Sequence, residues 1–296
     1  MTEKLYLSDT YAFSGNAKVL SIEKLVTVFK NSMYKVVLDK TVFHPQGGGQ
    51  PSDIGNITLN TDGVVDIAAP SISIQFAQAA AEGVVEHFGN FVSTDDPESL
   101  PADAVEQLFA GQVVSMSVDR EVRLANAKCH SAGHLIDVSV NRFNDRLAAQ
   151  YPGYYLAWLP TKGYHFKDGP YVEYKGKLEY SLHPGTIAPT APAMPVDADL
   201  IAAITAEAEE LIRQELPTEV RLVPRAEVPQ FCGGYSAEEL EHYPEQVRLV
   251  QLAGQYIPCG GTHVAGSGEL GGLKITKIKH KKGVVKVSYN ITTQAL

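Results

Sequence analysis

Up to Val118 the apolar residues come in short runs separated by turn formers, and that pattern restricts the first third of the chain to β structure. Residues 17–22, 34–38, 72–76, 84–88 and 113–118 form such runs, too short for ordinary helices and rich in β-branched side chains. They predict a small antiparallel barrel or sandwich, with the Asp-, Ser- and Pro-rich stretch 93–101 as a surface excursion. At Asp119 the texture changes. From there to Asn144, the apolar residues Val122, Leu124, Leu135, Val138 and Val140 sit among helix formers with Gly133 as the one breaker, which predicts a helix. A second helix is marked by the stripe Leu200, Ile204, Ala208 and Leu211, with Asp197 or Asp199 as cap and Pro217 as stop, and it should cover a sheet. The Pro-rich stretch 183–195 reads as a loop. Residues 273–291 read as two strands joined at Lys281, Lys282 and Gly283. The fold class is therefore α+β, and no internal repeat is evident.

Size and charge narrow the function. With 296 residues, 44% of them hydrophobic, the chain can bury one or two cores, about two domains. A net charge of -9 argues against a surface that coats nucleic acid, so any RNA contact must be a local basic patch. Three cysteines, Cys129, Cys232 and Cys259, are too few for a disulfide framework and point to reduced thiols or a metal ligand. The first residues contain no long apolar stretch, and eighteen apolar residues never run together, so the expectation is a soluble, cytoplasmic protein with no membrane partner.

Chemistry concentrates in two motifs. In His130-Ser131-Ala132-Gly133-His134, histidines four apart on a helix share a face and can reach one ion. In Cys259-Gly260-Gly261-Thr262-His263, a thiol and an imidazole are joined through glycines that allow a tight turn. His130, His134, Cys259 and His263 together make the nitrogen and sulfur set that a single zinc ion accepts. Each pair alone also suits a solvated helix face or a small buried hydrophobe. Ser131 stands where a zinc protease of the H-E-x-x-H type needs its glutamate. The long separation between the motifs disfavours a zinc-finger module and favours an assembled, catalytic site.

These two motifs, with Thr41-Val42-Phe43-His44-Pro45-Gln46-Gly47-Gly48-Gly49-Gln50-Pro51-Ser52-Asp53-Ile54-Gly55 upstream, resemble the editing domain of alanyl-tRNA synthetases and the free-standing AlaX proteins. Threonyl-tRNA synthetase editing domains share the zinc motifs but not the glycine motif. The resemblance extends from Lys4-Leu5-Tyr6-Leu7 to Gly271-Gly272-Leu273, and Cys129 and the long aromatic segment 151–180 depart from it. It implies a β-barrel-like domain with the glycine motif over 1–118 and an α+β editing domain over 119–296, with zinc in a cleft between them. It also implies hydrolysis of tRNA(Ala) mischarged with serine or glycine, without ATP and without aminoacylation. His130, Cys259 and Gln50 are then the catalytic candidates, and Thr41, Gly47, Gly48, Gly49 and Gln50 the substrate contacts. The glycine stretch also reads as a plain hairpin turn, Thr41 as a strand residue, and Asp119 with Arg123 as a surface ion pair, although their place in the family pattern implies that they brace the helix beside the site. Lys279 and Lys281, in the run Lys274 to Lys286, are the candidate phosphate contacts, with a solvated hairpin as the plainer reading. Tyr154, Tyr155, Trp158, Tyr164, Phe166, Tyr171 and Tyr174 could stack bases or make core. An inactive tRNA binder, editing of tRNA(Thr) and a structural zinc protein remain the alternatives. Oligomeric state is not legible.

Overall fold

The computed structural model describes residues 1–25, 33–60, 69–92, 103–186, 197–233 and 237–292, which fall into two compact units, Met1–Ala125 and Asn126–Leu296. The expected excursion at 93–101 and most of the expected loop at 183–195 lie outside the described residues.

The first unit contains β1 (Glu3–Lys4), β2 (Ser14–Leu25), β3 (Met33–Leu38), β4 (Lys40–Thr41), β5 (Gly55–Leu59), β6 (Ser71–Ala79), β7 (Val85–Val92), α1 (Ala104–Phe109) and β8 (Val113–Val118). Six strands close in the order β2-β3-β7-β6-β5-β8 with antiparallel neighbours throughout. Between barrel and sandwich the closure decides for the barrel, which leaves no sheet edge unpaired. Alternation sets the interior: Tyr34, Val36 and Leu38 are buried in β3 and pack with Val19, Ile57, Ile72, Ile74, Met116 and the Phe109 ring of α1. Each such side chain contributes about 1.5–3 kcal/mol by burial.

Polar side chains are enclosed in this unit as well. His87 Nδ1 lies 3.1 Å from the Val36 carbonyl, which can only accept, so Nδ1 carries the proton and Nε2 receives the Thr41 hydroxyl at 2.8 Å. Burial pulls this imidazole down to about 4, with the Val36 carbonyl opposing. Arg123 and Asp53 are fully buried. Arg123 donates from Nε to Asp53 Oδ2 at 2.9 Å, from one terminal nitrogen to the Thr10 carbonyl at 2.8 Å, and from the other to the Val42 carbonyl. The surface pair expected of Asp119 and Arg123 is absent. Asp119 instead caps the next helix, its Oδ1 accepting the Val122 N–H at 3.0 Å.

That helix, α2 (Arg120–Gln150), runs six residues past the expected end. After it come β9 (Tyr154–Leu156), β10 (Leu159–Tyr164), β11 (Tyr171–Lys175), β12 (Tyr180–Leu182), α3 (Asp197–Arg213), β13 (Glu219–Pro224), α4 (Val228–Phe231), α5 (Ala237–Glu241), β14 (Gln246–Leu252), β15 (Gln255–Pro258), β16 (Leu273–Lys281) and β17 (Val284–Ile291). The main sheet has the order β10-β11-β17-β16 and a smaller one the order β13-β14-β15. Val172, Tyr174, Ile275, Ile278, Val285, Val287 and Tyr289 share one core with Leu135 and Ile136 of α2 and with the stripe Leu200, Ile204, Ala208 and Leu211 of α3. The second helix thus covers a sheet, as its single apolar face requires. Lys282 and Gly283 turn the β16–β17 hairpin with φ of 52° and 77°, the left-handed pair that matches strand twist.

Candidate metal centre

His130 and His134 lie one turn apart on α2, while the stretch from Cys259 to His263 follows β15. The turn after β15 is wrapped around one cation: Arg248 of β14 donates to the Cys259 carbonyl at 2.5 Å and to the Gly261 carbonyl at 3.1 Å. The Gly261 N–H points at Cys259 Sγ at 3.5 Å. The two segments bring four donor atoms together. His130 Nε2 is 3.2 Å from His134 Nε2 and 3.5 Å from Cys259 Sγ, and His263 Nε2 is 3.3 Å from that sulfur. All four donor atoms lie within 4.8 Å of one another, a group that could hold one metal ion.

The histidines turn Nε2 inward, which leaves Nδ1 to outer partners, two of which hold a ring. Ser131 Oγ is 3.1 Å from His263 Nδ1 and accepts the Val264 N–H at 3.2 Å. Asp137, one turn beyond His134, sits 3.6 Å from His134 Nδ1, and the Tyr174 hydroxyl donates to its other oxygen at 2.6 Å. Burial would raise the Cys259 thiol, but His130 and His263 outweigh it and hold the thiol well below its ordinary value. Burial would lower His134, yet Asp137 and Cys259 hold that imidazole up at about 10. His263 is pulled down to about 3 by burial, with Cys259 opposing. The cluster is thus a thiolate whose counter-charge is a proton on a neighbouring ring, and metal ions compete for such sites with protons.

A fifth group is missing from the sequence reading. His165 is buried and stacks on His130 at a centroid distance of 4.7 Å and 25°. Its Nδ1 is 2.7 Å from the Tyr289 hydroxyl, which donates to the Cys129 carbonyl at 2.9 Å, so Nδ1 carries the proton. Burial and then the charges of His130 and His134 push His165 down to about 2, which keeps it neutral. Nothing in sequence spacing links it to the motif. Cys129, the departure from the family pattern beside His130, is buried against Tyr289 with its thiol raised to about 11 by that burial.

The remaining candidates lie elsewhere. Gly47 and Gln50 exchange backbone hydrogen bonds at 3.1 and 2.9 Å around Gly48 and Gly49, whose φ values are 57° and 80°, so the glycine stretch is a two-residue hairpin turn that L side chains would strain. Its tip is exposed while Gln50 is buried. The Thr41 hydroxyl is engaged by His87 and accepts the Phe43 N–H at 3.0 Å. Lys279 and Lys281 are exposed on β16. Of the aromatic residues, Trp158 and Tyr174 belong to the core of the second unit, and Tyr154 is buried.

Comparison with known proteins follows this geometry. A family model described as the threonyl and alanyl tRNA synthetase second additional domain matches residues 247–286, which include Cys259, His263 and the β16–β17 lysines. The alanyl-tRNA editing protein AlaX-M of Methanosarcina acetivorans is 29% identical over 291 residues, 95% of each chain. The resemblance is to AlaX-type editing proteins. It also covers the whole of this chain against AlaX-L of Pyrococcus horikoshii, at 23% identity and 59% of that protein. The alanine–tRNA ligase of Caldivirga maquilingensis is 26% identical over 301 residues, 27% of its length. Among the described residues no helix is long and apolar enough to cross a membrane.

Proposed function

We propose that this chain is a zinc-dependent, trans-editing aminoacyl-tRNA hydrolase that removes serine or glycine from tRNA(Ala), needs no ATP and does not charge tRNA. The convergence of His130, His134, Cys259 and His263 on one point carries the reading, and the names of the AlaX relatives support its alanine specificity. The donor set fits the metal. A tetrahedral zinc with nitrogen ligands at about 2.0–2.1 Å and sulfur at about 2.3 Å has ligand-to-ligand edges of about 3.3–3.6 Å; three of the six pairs here stand at 3.2, 3.3 and 3.5 Å, and all lie within 4.8 Å. Zinc so held supplies positive charge that polarises the ester or its attacking oxygen.

The chain's own residues do the rest. Ser131 and Asp137 keep the His263 and His134 rings aimed inward. His134 and Cys259 are more open to solvent than His130 and His263, so the substrate approaches along that edge. Gln50, buried beneath the turn, closes it with Gly47, so that the tip at Gly48 and Gly49 offers backbone N–H groups to the aminoacyl or adenosyl end, and Lys279 and Lys281 contact phosphates without reading sequence. Rejection of alanine rests on a buried polar group left unpaired by the missing hydroxyl, worth about 1–3 kcal/mol. Four protein ligands also suit a closed structural zinc, and chelation separates the two.

The test is release of labelled serine from tRNA(Ala), beside correctly charged alanine and a Cys259→Ala, His263→Ala double variant. Serine release with alanine spared, at least a hundred-fold slower in the double variant, supports the reading. Serine that stays on tRNA(Ala) with zinc bound overturns it. Release only from tRNA(Thr), or a chelator that unfolds the protein while ester loss was never seen, identifies the corresponding alternative.

A further inference from the structure

The main sheet of the second unit has two unlike faces. Helices α2 and α3 pack on one, through Ile275, Ile278, Val285 and Val287. On the other, strand register places two rows. Lys162, Glu173, Lys286 and Lys279 are consecutive neighbours across β10, β11, β17 and β16, and Tyr164, Tyr171, Ser288 and Lys277 form the next row. Lys277, Lys279 and Lys281 repeat along β16 on this exposed face, about 6.8 Å apart at the usual rise. Glu173 is the only acidic residue in these four strands, in a chain whose net charge is -9.

The aromatic residues on this face are ordered rather than scattered. Phe166 and Tyr164 stack at 4.4 Å and 16°, Tyr164 and Tyr171 at 5.3 Å and 15°. Lys286 Nζ caps the column 3.1 Å from the Tyr171 centroid. A ring column beside a lysine row is the combination that holds unpaired nucleotides: flat rings take bases, and ammonium groups take the phosphates between them. A duplex, whose bases are already stacked, offers nothing to the rings.

We infer that the outer face of β10-β11-β17-β16 is a binding platform for single-stranded RNA, with the Phe166–Tyr164–Tyr171 column stacking a base and Lys277, Lys279 and Lys286 holding phosphates. The choice of RNA over other polyanions rests on the editing reading, but binding here needs no ester. Editing can fail while the platform stands, and the reverse.

The experiment is fluorescence anisotropy with an uncharged, labelled twelve-nucleotide RNA, across a salt series. A Lys279→Glu, Lys286→Glu variant should bind at least ten-fold more weakly and lower the log–log salt slope by about 1.4, at roughly 0.7 per phosphate contact. Tyr164→Ala with Tyr171→Leu should weaken binding at least five-fold with the slope kept. Lys18→Glu with Lys24→Glu, exposed positions of the first unit, should bind as wild type, and circular dichroism melts show that the variants fold. Equal binding of an RNA duplex, charge reversal without effect, or binding to phosphatidylserine vesicles in place of RNA would overturn the inference.

Discussion

The two units each enclose charge, and they do so in opposite ways. In the first, Arg123 sends its donors to Asp53, Thr10 and Val42, so the charge is answered by groups of the same unit. In the second, His130, His134, Cys259 and His263 gather their donor atoms within 4.8 Å of one another, and the thiolate is answered by neighbouring imidazoles and the Gly261 N–H. A buried charge answered by a carboxylate and two carbonyls is part of the scaffold, even with Asp53 Oδ1 left without a hydrogen-bond partner among the described residues. Converging donor atoms leave something for a ligand to supply.

Three measurements sharpen or break that contrast. The largest effect is expected for Arg123→Met, which strands Asp53 in the interior. It should cost about 3–5 kcal/mol in urea unfolding, while zinc bound per folded chain stays unchanged. A loss of metal alongside would break the distinction.

Acid comes next. Unfolded His87 takes its proton near 6.5, whereas burial holds the folded imidazole down to about 4. In that window the unfolded chain binds more protons, so stability is complete above pH 6.5 and falls as pH drops toward 4. This group alone removes about 3 kcal/mol, and His87→Gln should flatten that part of the stability–pH curve. If the slope is unaltered, the buried polar centre of the barrel is not His87.

The smallest effect belongs to Asp137→Asn, which weakens the grip on the His134 ring. Zinc affinity, read by chelator competition, should fall about 10- to 100-fold with little change in melting temperature. A drop in stability with unchanged affinity would make Asp137 scaffold, like Asp53.

Legibility followed distance along the chain. The runs at 34–38 and 113–118, the His130 and His134 pair, the α3 stripe and the Lys282–Gly283 turn are all local patterns, fixed by backbone periodicity and turn chemistry. Barrel closure, the 70-residue span from Asp53 to Arg123, and the meeting of His130 with Cys259 are tertiary facts. The two zinc motifs were visible singly, and donor chemistry and the family resemblance joined them where sequence spacing did not. His165 lay in the aromatic segment set aside as a departure from the family, and Asp137 looked like any helical acid. The strands β13 and β15 went unnoticed because their apolar runs are brief or exposed, as at Val220 and Leu222, whereas β14 was missed although Val247, Leu249, Val250 and Leu252 are buried.

Gly133 shows what this design forbids to anyone re-engineering the protein. Glycine inside a helix gives up about 1 kcal/mol relative to alanine, and exchanging the two is a routine route to heat resistance. Here an added methyl would stand 2.3 Å from His165 Cε1, and one at Gly163 would stand 2.2 Å from Nε2 of the same ring. The softest residue of the helix is the slot that admits a fourth imidazole, so the thermostabilised version of this α2 is one that has lost its neighbour.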